Sequence, residues 1–345
     1  MNNKNAVRIV VVLVVLLLSM IVVWYVSSIA KKPDEAVGVM PTPIQRTVTR
    51  VEGVDAIDDL SDMVYNATAG VFYVASFDNG TIYVVGAKSK KIEGVIPVVF
   101  PHRLYLDTSN HMLYVSAGDD RVLKIDTNTF VEVSRAQVKT KPGGMVFDPT
   151  TSLLYVSTEY GNTVDVIDTK NMQVVSSVFV GKGPTDVALS ANGEFLYVAE
   201  REAGTIGVIS TQNRVYIKTI QFGGRPHRMY SVDTQGVVLI LDQYTGALAI
   251  LDSVIQRIDR KIDVVSLPSD MVVDTQRDKI YVTSFADNTI GVLDIKSEKM
   301  QNIIGLSQAS FAQSTGLNNI AMVPGSNEVL VSNTNTGELH FVDIR

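Results

Sequence analysis

Short apolar triplets recur along the chain at a near-constant interval. They are Phe72-Tyr73-Val74, Leu113-Tyr114-Val115, Leu154-Tyr155-Val156, Leu196-Tyr197-Val198, Val238-Leu239-Ile240, Ile280-Tyr281-Val282 and Val329-Leu330-Val331. Their central positions are separated by 41, 41, 42, 42, 42 and 49 residues. Each run is too short for a helix and is rich in β-branched and aromatic residues, which predicts strands. After a polar turn comes a second strand, as in TIYVVG (81–86), TVDVID (163–168) and TIGVLD (289–294), and then a third, as in VVSSVFV (174–180). A turn with proline at 101, 142, 184, 226 or 268 then leads into a further strand such as TDVALS.

Four short strands per unit of about 42 residues is the period of a β-propeller blade. A blade cannot bury both of its faces alone, so the units must pack around a central channel. The seven copies therefore predict an all-β, seven-bladed β-propeller of four-stranded antiparallel blades over residues 46–345. The last copy ends at Arg345 immediately after its third strand, whereas RTVTRVE (46–52) precedes the first inner strand and has β-branched character. The N-terminal segment is thus expected to supply the outer strand of the last blade, which removes an open sheet edge.

The stretch YVTSFADNTIGVLD (281–294) resembles the YVTN-family β-propeller repeat, with Ser284 where the family has asparagine. YVSTEYGNTVDVID (155–168) and YVAEREAGTIGVIS (197–210) are close matches, while blades one, five and seven are weaker, Leu239 replacing the tyrosine. The resemblance covers the chain from about residue 46 to its end and implies an extracytoplasmic protein of the bacterial or archaeal type, including surface-layer-associated ones. More remotely, the fold is similar to the amine dehydrogenase heavy chain, the haem d1 domain of nitrite reductase and propeller lactonases. The motif residues are strand and turn positions, so the resemblance specifies a scaffold and not an activity.

A different pattern occupies the first thirty residues. Lys4 and Arg8 precede an apolar run from Ile9 to Val26 broken only by Ser19, with Trp24 and Tyr25 near its far end. That length spans a bilayer core of about 30 Å, and predicts one transmembrane helix over residues 1–30 with the remainder outside. The competing reading is a cleaved secretory signal with Ser28-Ile29-Ala30 before the cut; the run exceeds the usual length of a signal core. A Pro-containing tether (31–45) follows. The expected location is a single-pass membrane protein with an extracytoplasmic propeller, or a secreted one if the segment is cleaved.

Composition narrows the chemistry. With no cysteine, disulfides, thiolate metal sites and thiol nucleophiles are excluded. A net charge of −6 offers no basic field for nucleic acid. No Gly-x-Ser-x-Gly elbow, phosphate-binding glycine loop or His-Glu-x-x-His is present. Sequons at Asn66 and Asn79 are glycosylation candidates.

The turns entering the inner strands differ most between copies, and the residues after each proline are expected at the channel mouth. The second position of each turn holds Asp62, Arg103, Gly144, Asp186, Arg228, Asp270 and Asn319 in blade order. The first holds Ser61, His102, Gly143, Thr185, His227, Ser269 and Asn318. Three carboxylates and two guanidiniums would bind a polar or anionic ligand, or hold a divalent cation such as calcium through oxygen ligands. The simpler reading is that they pair with one another and close the channel at no net charge. His102 and His227 occupy a position where the family repeat itself often has histidine, which implies a structural part. His111 and His340 are expected at the surface. Two departures from the period, 307–314 and the acidic stretch 54–59, should extend the same face.

Three functions follow from this pattern. The first is a binding or scaffold module for a protein, glycan or cell-envelope partner, with no cofactor. The second is a divalent-metal-dependent hydrolase or lactonase working at the channel mouth. The third, by analogy of fold alone, is a cofactor-free subunit of an extracytoplasmic redox complex.

Overall fold

The computed structural model describes residues 40–53, 57–306 and 315–345. The expected membrane segment, most of the tether and the stretches 54–56 and 307–314 lie outside the described residues. Among the described residues no helix is long and apolar enough to cross a membrane.

Seven sheets of antiparallel strands form the ring. The first blade runs β3 (Leu60–Asn66), β4 (Val71–Ser76), β5 (Thr81–Gly86) and β6 (Ile92–Pro97), each paired with the next. Five further blades repeat this order, beginning at Pro101, Pro142, Pro184, Pro226 and Pro268. Residues 281–294 fall where the repeat places them, in the two middle strands of the sixth blade, with Tyr281 opposite Val292. The seventh blade contains only three strands from the C-terminal end of the chain, β27 (Leu317–Met322), β28 (Glu328–Asn333) and β29 (Glu338–Asp343). Its fourth is β2 (Val48–Arg50), antiparallel to β29 with Val48 opposite Val342 and Arg50 opposite His340. The predicted closure is therefore present.

The burial of each strand follows from its place in the ring. The second strand of a blade is covered on both faces by its neighbours, which is why Leu196, Tyr197, Val198 and Ala199 are all buried. Outer strands such as Glu132–Gln137 alternate between exposed and covered positions, because only one face meets protein. The apolar core is divided accordingly. Its seven clusters each join residues of two neighbouring blades, and one of them links Leu330 and Phe341 of the last blade to Phe72 and Val74 of the first. No cluster sits within a single blade, so stability depends on closing the circle.

The signature residues have structural duties. Tyr73, Tyr114, Tyr155 and Tyr197 are fully buried, and the Tyr197 hydroxyl donates to Ser253 O of the next blade at 3.0 Å. The aspartate ending the third strand accepts amide hydrogens of the turn that follows, as Asp126 does from Asn128 and Thr129 at 2.8 and 3.0 Å. One turn position recurs with positive φ at Phe130, Met172, Arg214, Gln256 and Glu298. None of these is glycine, so composition alone did not mark the spot.

Two expectations are corrected. Ile44–Gln45, read as the end of the tether, form a strand parallel to the outer strand of the sixth blade, Ile44 opposite Ile304. His340, expected at the surface, is 2% exposed, because β2 covers the strand that carries it. His111 does lie in an exposed turn with φ 54°. Of the two sequons, Asn79 is exposed, whereas Asn66 is buried with its side chain accepting the amides of Thr68 and Ala69. A glycan at Asn66 would disrupt this turn.

Removing residues 1–51 would strip the last blade of its outer strand and take Val51, which is 1% exposed, out of the core cluster between the last blade and the first. Burial of one such side chain is worth about 1.5–3 kcal/mol before the ladder bonds are counted. The shortened chain should melt several degrees lower by circular dichroism and associate through the bared edge of β29 in light scattering.

Candidate functional site

Each inner strand opens on a bulge. In all seven, the register with the second strand slips at the first residues, as between Pro101 and Arg103 or Pro184 and Asp186. A bulge admits an extra residue and re-aims its side chain. This is how successive residues after the proline face different parts of the axis.

The first residue of the pair clamps its blade to the next in five of the seven, Gly143 having no side chain to do so. Ser61 Oγ donates to Pro101 O at 2.9 Å, Ser269 Oγ to Leu317 O at 2.9 Å and Thr185 Oγ1 to His227 O at 3.3 Å. His102 Nδ1 lies 3.1 Å from Pro142 O, and Asn318 Nδ2 donates to Leu60 O across the closure at 3.3 Å. His227 breaks the series, since its buried Nδ1 has no hydrogen-bond partner. Burial lowers the pKa of both imidazoles; His227, also facing Arg201 and His102, is pushed down to about 4. Both are neutral at pH 7.

The second residue of each pair forms a polar plug across the channel. Asp62, Asp186 and Asp270 each accept a backbone amide of the following blade, from Leu104, Met229 and Ile320 at 2.8, 2.9 and 3.2 Å. Arg228 crosses the axis to Asp62 at 3.1 Å, Asp270 at 3.3 Å and Asn319 Oδ1 at 3.0 Å. Arg103 stands 3.8 Å from both Asp62 and Asp186. Gly144 completes the ring by leaving room, because a Cβ there would meet Asp186 Oδ1 at 1.9 Å. The charged groups pair with one another as expected, but three carboxylates meet two guanidiniums, so pairing alone does not make the plug neutral. Burial pushes Asp270 up to about 6 and Asp186 up to about 8, the amides of Met229 and Val187 only partly opposing it.

The plug separates two chambers. The upper one, about 310 Å³, is lined by the clamp residues together with Arg103, Arg228, Lys141, Arg201, Glu159 and Asp59. Glu159 is shared by Lys141 and Arg201, 2.6 Å from each. The lower one, about 690 Å³, touches Asp62, Asp186 and Asp270. Of the plug's charged groups, Arg103 reaches only the upper chamber, Arg228 reaches both, and the three carboxylates reach only the lower one.

Lys141, Glu159 and Arg201 were not singled out from sequence. Glu159 and Arg201 stand four residues after the signature tyrosines Tyr155 and Tyr197, where other copies have Phe77, Gly118 and Phe285. A charged residue at a repeat position that is uncharged in the other copies, Gln243 and Thr334 included, was the available signal. Asp58 and Asp59 are the described part of the acidic stretch, and Asp59 reaches the upper chamber. Among the described residues no three His, Asp or Glu side chains are grouped to hold a metal ion.

Residues 99–254 match the family model for the seven-bladed β-propeller lactonases. Among solved structures, the chain is similar to one from Kuenenia stuttgartiensis hydrazine synthase, at 16% identity and a TM-score of 0.69, covering 86% of this chain and 99% of that one. A chain of the mitotic checkpoint complex matches at 14% identity and a TM-score of 0.73, covering 91% and 94%. The Cps50 (Swd1) propeller domain of Myceliophteria thermophila matches at 9% identity and a TM-score of 0.72, covering 87% and 100%. These likenesses show the propeller fold, consistent with the YVTN-type repeat. No curated protein matches the sequence.

Asp186 makes the fold's stability depend on pH. Its pKa is about 8 when folded and about 3.9 when unfolded, so its contribution is complete below about pH 4 and is lost as pH rises through about 8. His227 acts in the opposite sense, losing stability as pH falls from about 6.5 through about 4. Between about pH 6.5 and 8.5 the Asp186 effect therefore stands apart from that of His227. The urea midpoint should fall across that interval, and Asp186→Asn should flatten the slope whatever its absolute stability.

Proposed function

We propose that the protein is a binding propeller, held outside the cell by its N-terminal apolar segment, whose upper chamber receives an anionic group of a protein or envelope partner. The observation that carries this reading is the predominance of cations in that chamber's lining. Arg103, Arg228, Lys141 and Arg201 line it against Asp59 and Glu159; Arg103 and Arg228 also pair with the plug aspartates, and Glu159 is shared by Lys141 and Arg201. His227 adds an unpartnered polar nitrogen, and the chamber opens on the face formed by the turns that differ between copies. An incoming carboxylate or phosphate would gain charge-assisted hydrogen bonds there.

A second reading is favoured by the lactonase-type match. The matched residues supply His102, Arg103, Lys141, Glu159, Arg201, His227 and Arg228, all of the upper chamber's titratable groups except Asp59. In this version neutral His227 activates water against a lactone carbonyl and Arg201 stabilises the oxyanion. A divalent-metal version has less support, because among the described residues no three His, Asp or Glu side chains are grouped to hold a metal ion.

Glucuronate, inorganic phosphate and an acidic peptide, each added to the purified protein, should separate the alternatives. The binding reading expects at least one to raise the melting temperature, and Lys141→Ala with Arg201→Ala to weaken that effect about tenfold or more. No stabilisation by any of the three would overturn it. Turnover of a lactone panel that disappears in His227→Ala would establish the hydrolase instead. For location, protease added to intact cells should release the propeller by cutting the tether, and complete protection in a permeable envelope would refute the extracytoplasmic placement.

A further inference from the structure

The lower chamber is a separate cavity on the opposite side of the plug, and carboxylates predominate among its charged lining residues where cations predominate in the upper one. Its floor is the carboxylate side of the plug, with Asp62, Asp186 and Asp270 lining it. At the far end of the inner strands stand the exposed Asp233 and the buried Asp148, whose oxygens are taken by Thr150 and Thr151, while Arg228 is the one cation among its lining residues. Asp186 is buried yet keeps 12% of its side-chain surface, which the chamber reaches.

Between floor and mouth the wall is apolar and aromatic. Two residues beyond the plug positions, on the same face of each inner strand, stand Val64, Tyr105, Val146 and Tyr230, all of which line the chamber. Tyr230 is 42% exposed even though it belongs to an inner strand, so its ring is open to an occupant. The Asp233 charge acts on both tyrosine hydroxyls, adding to the burial that raises their pKa values, which places a carboxylate close to both rings.

We propose that the lower chamber is a binding site for a small organic cation, an amine or quaternary ammonium on a compact aromatic or aliphatic body. The observation behind it is a 690 Å³ cavity with two tyrosine rings in its wall and carboxylates at both ends. The volume falls within the range of small-molecule sites, about 300–1,000 Å³. Tyrosine faces attract cations, and an ammonium at the floor supplies the positive charge by which the plug's three carboxylates exceed its two guanidiniums. Because Asp186 is held largely protonated at neutral pH, an arriving ammonium displaces that proton, and binding releases acid.

Calorimetric titration of the full chain with phenethylamine and benzyltrimethylammonium, against 2-phenylethanol and phenylacetate as neutral and anionic controls of similar shape, tests this. The two cations are expected to bind about tenfold or more tighter than either control. In paired buffers of different ionisation enthalpy, binding near pH 7 should release protons, and Asp186→Asn should abolish the release. Tyr230→Ala and Asp233→Asn, both at the accessible end, should each weaken binding severalfold, while Lys141→Ala and Arg201→Ala in the upper chamber leave it unchanged. Cations that bind no better than 2-phenylethanol overturn the proposal. So does binding that survives both Tyr230→Ala and Asp233→Asn undiminished. Neither result bears on the upper chamber, so the two sites stand or fall separately.

Discussion

Every blade of this protein lacks a core of its own. Apolar residues meet only between neighbouring sheets, so the ring is stable when the last interface, between the seventh blade and the first, has formed. That single constraint accounts for the strand Val48–Arg50 crossing to the far end of the chain, and for the burial of His340 beneath it. It also explains why the recognisable residues of the repeat are scaffold residues. A tyrosine that must fill the space between blades has no freedom to become a ligand.

The axis is where this economy of consensus ends. Apolar side chains cannot close a narrow channel that water reaches from both faces, and the ring instead uses carboxylates and guanidiniums. Each plug carboxylate is tied to a backbone amide of the next blade, so the same group holds two blades together and sets the polarity of the channel. The plug carboxylates face one chamber, Arg103 faces the other and Arg228 reaches both, so carboxylates predominate in one cavity and cations in the other. The odd carboxylate is taken up by protonation, for which burial of Asp186 supplies the driving force.

The outcome for individual residues shows what a linear reading sees. The pairing of Asp62, Asp270 and Arg228 followed from opposite charges at equivalent turn positions. The special standing of His227 did not, because His102 has the same repeat position and finds a partner in Pro142 O, whereas His227 Nδ1 finds none. Likewise Lys141 and Arg201 gain meaning only by converging on Glu159 from separate blades.

Periodicity alone determined the four strands of each blade, the number of blades and the closure by the N-terminal segment. It could do so because each is a local pattern repeated at a constant interval. The tertiary structure decided which way the charged side chains point, that three carboxylates outnumber two guanidiniums within one buried plug, and that aromatic rings of separate strands share a cavity. Those outcomes depend on bulges that rotate a residue about the strand and on distances across the ring. Neither is encoded in the spacing of residues along the chain.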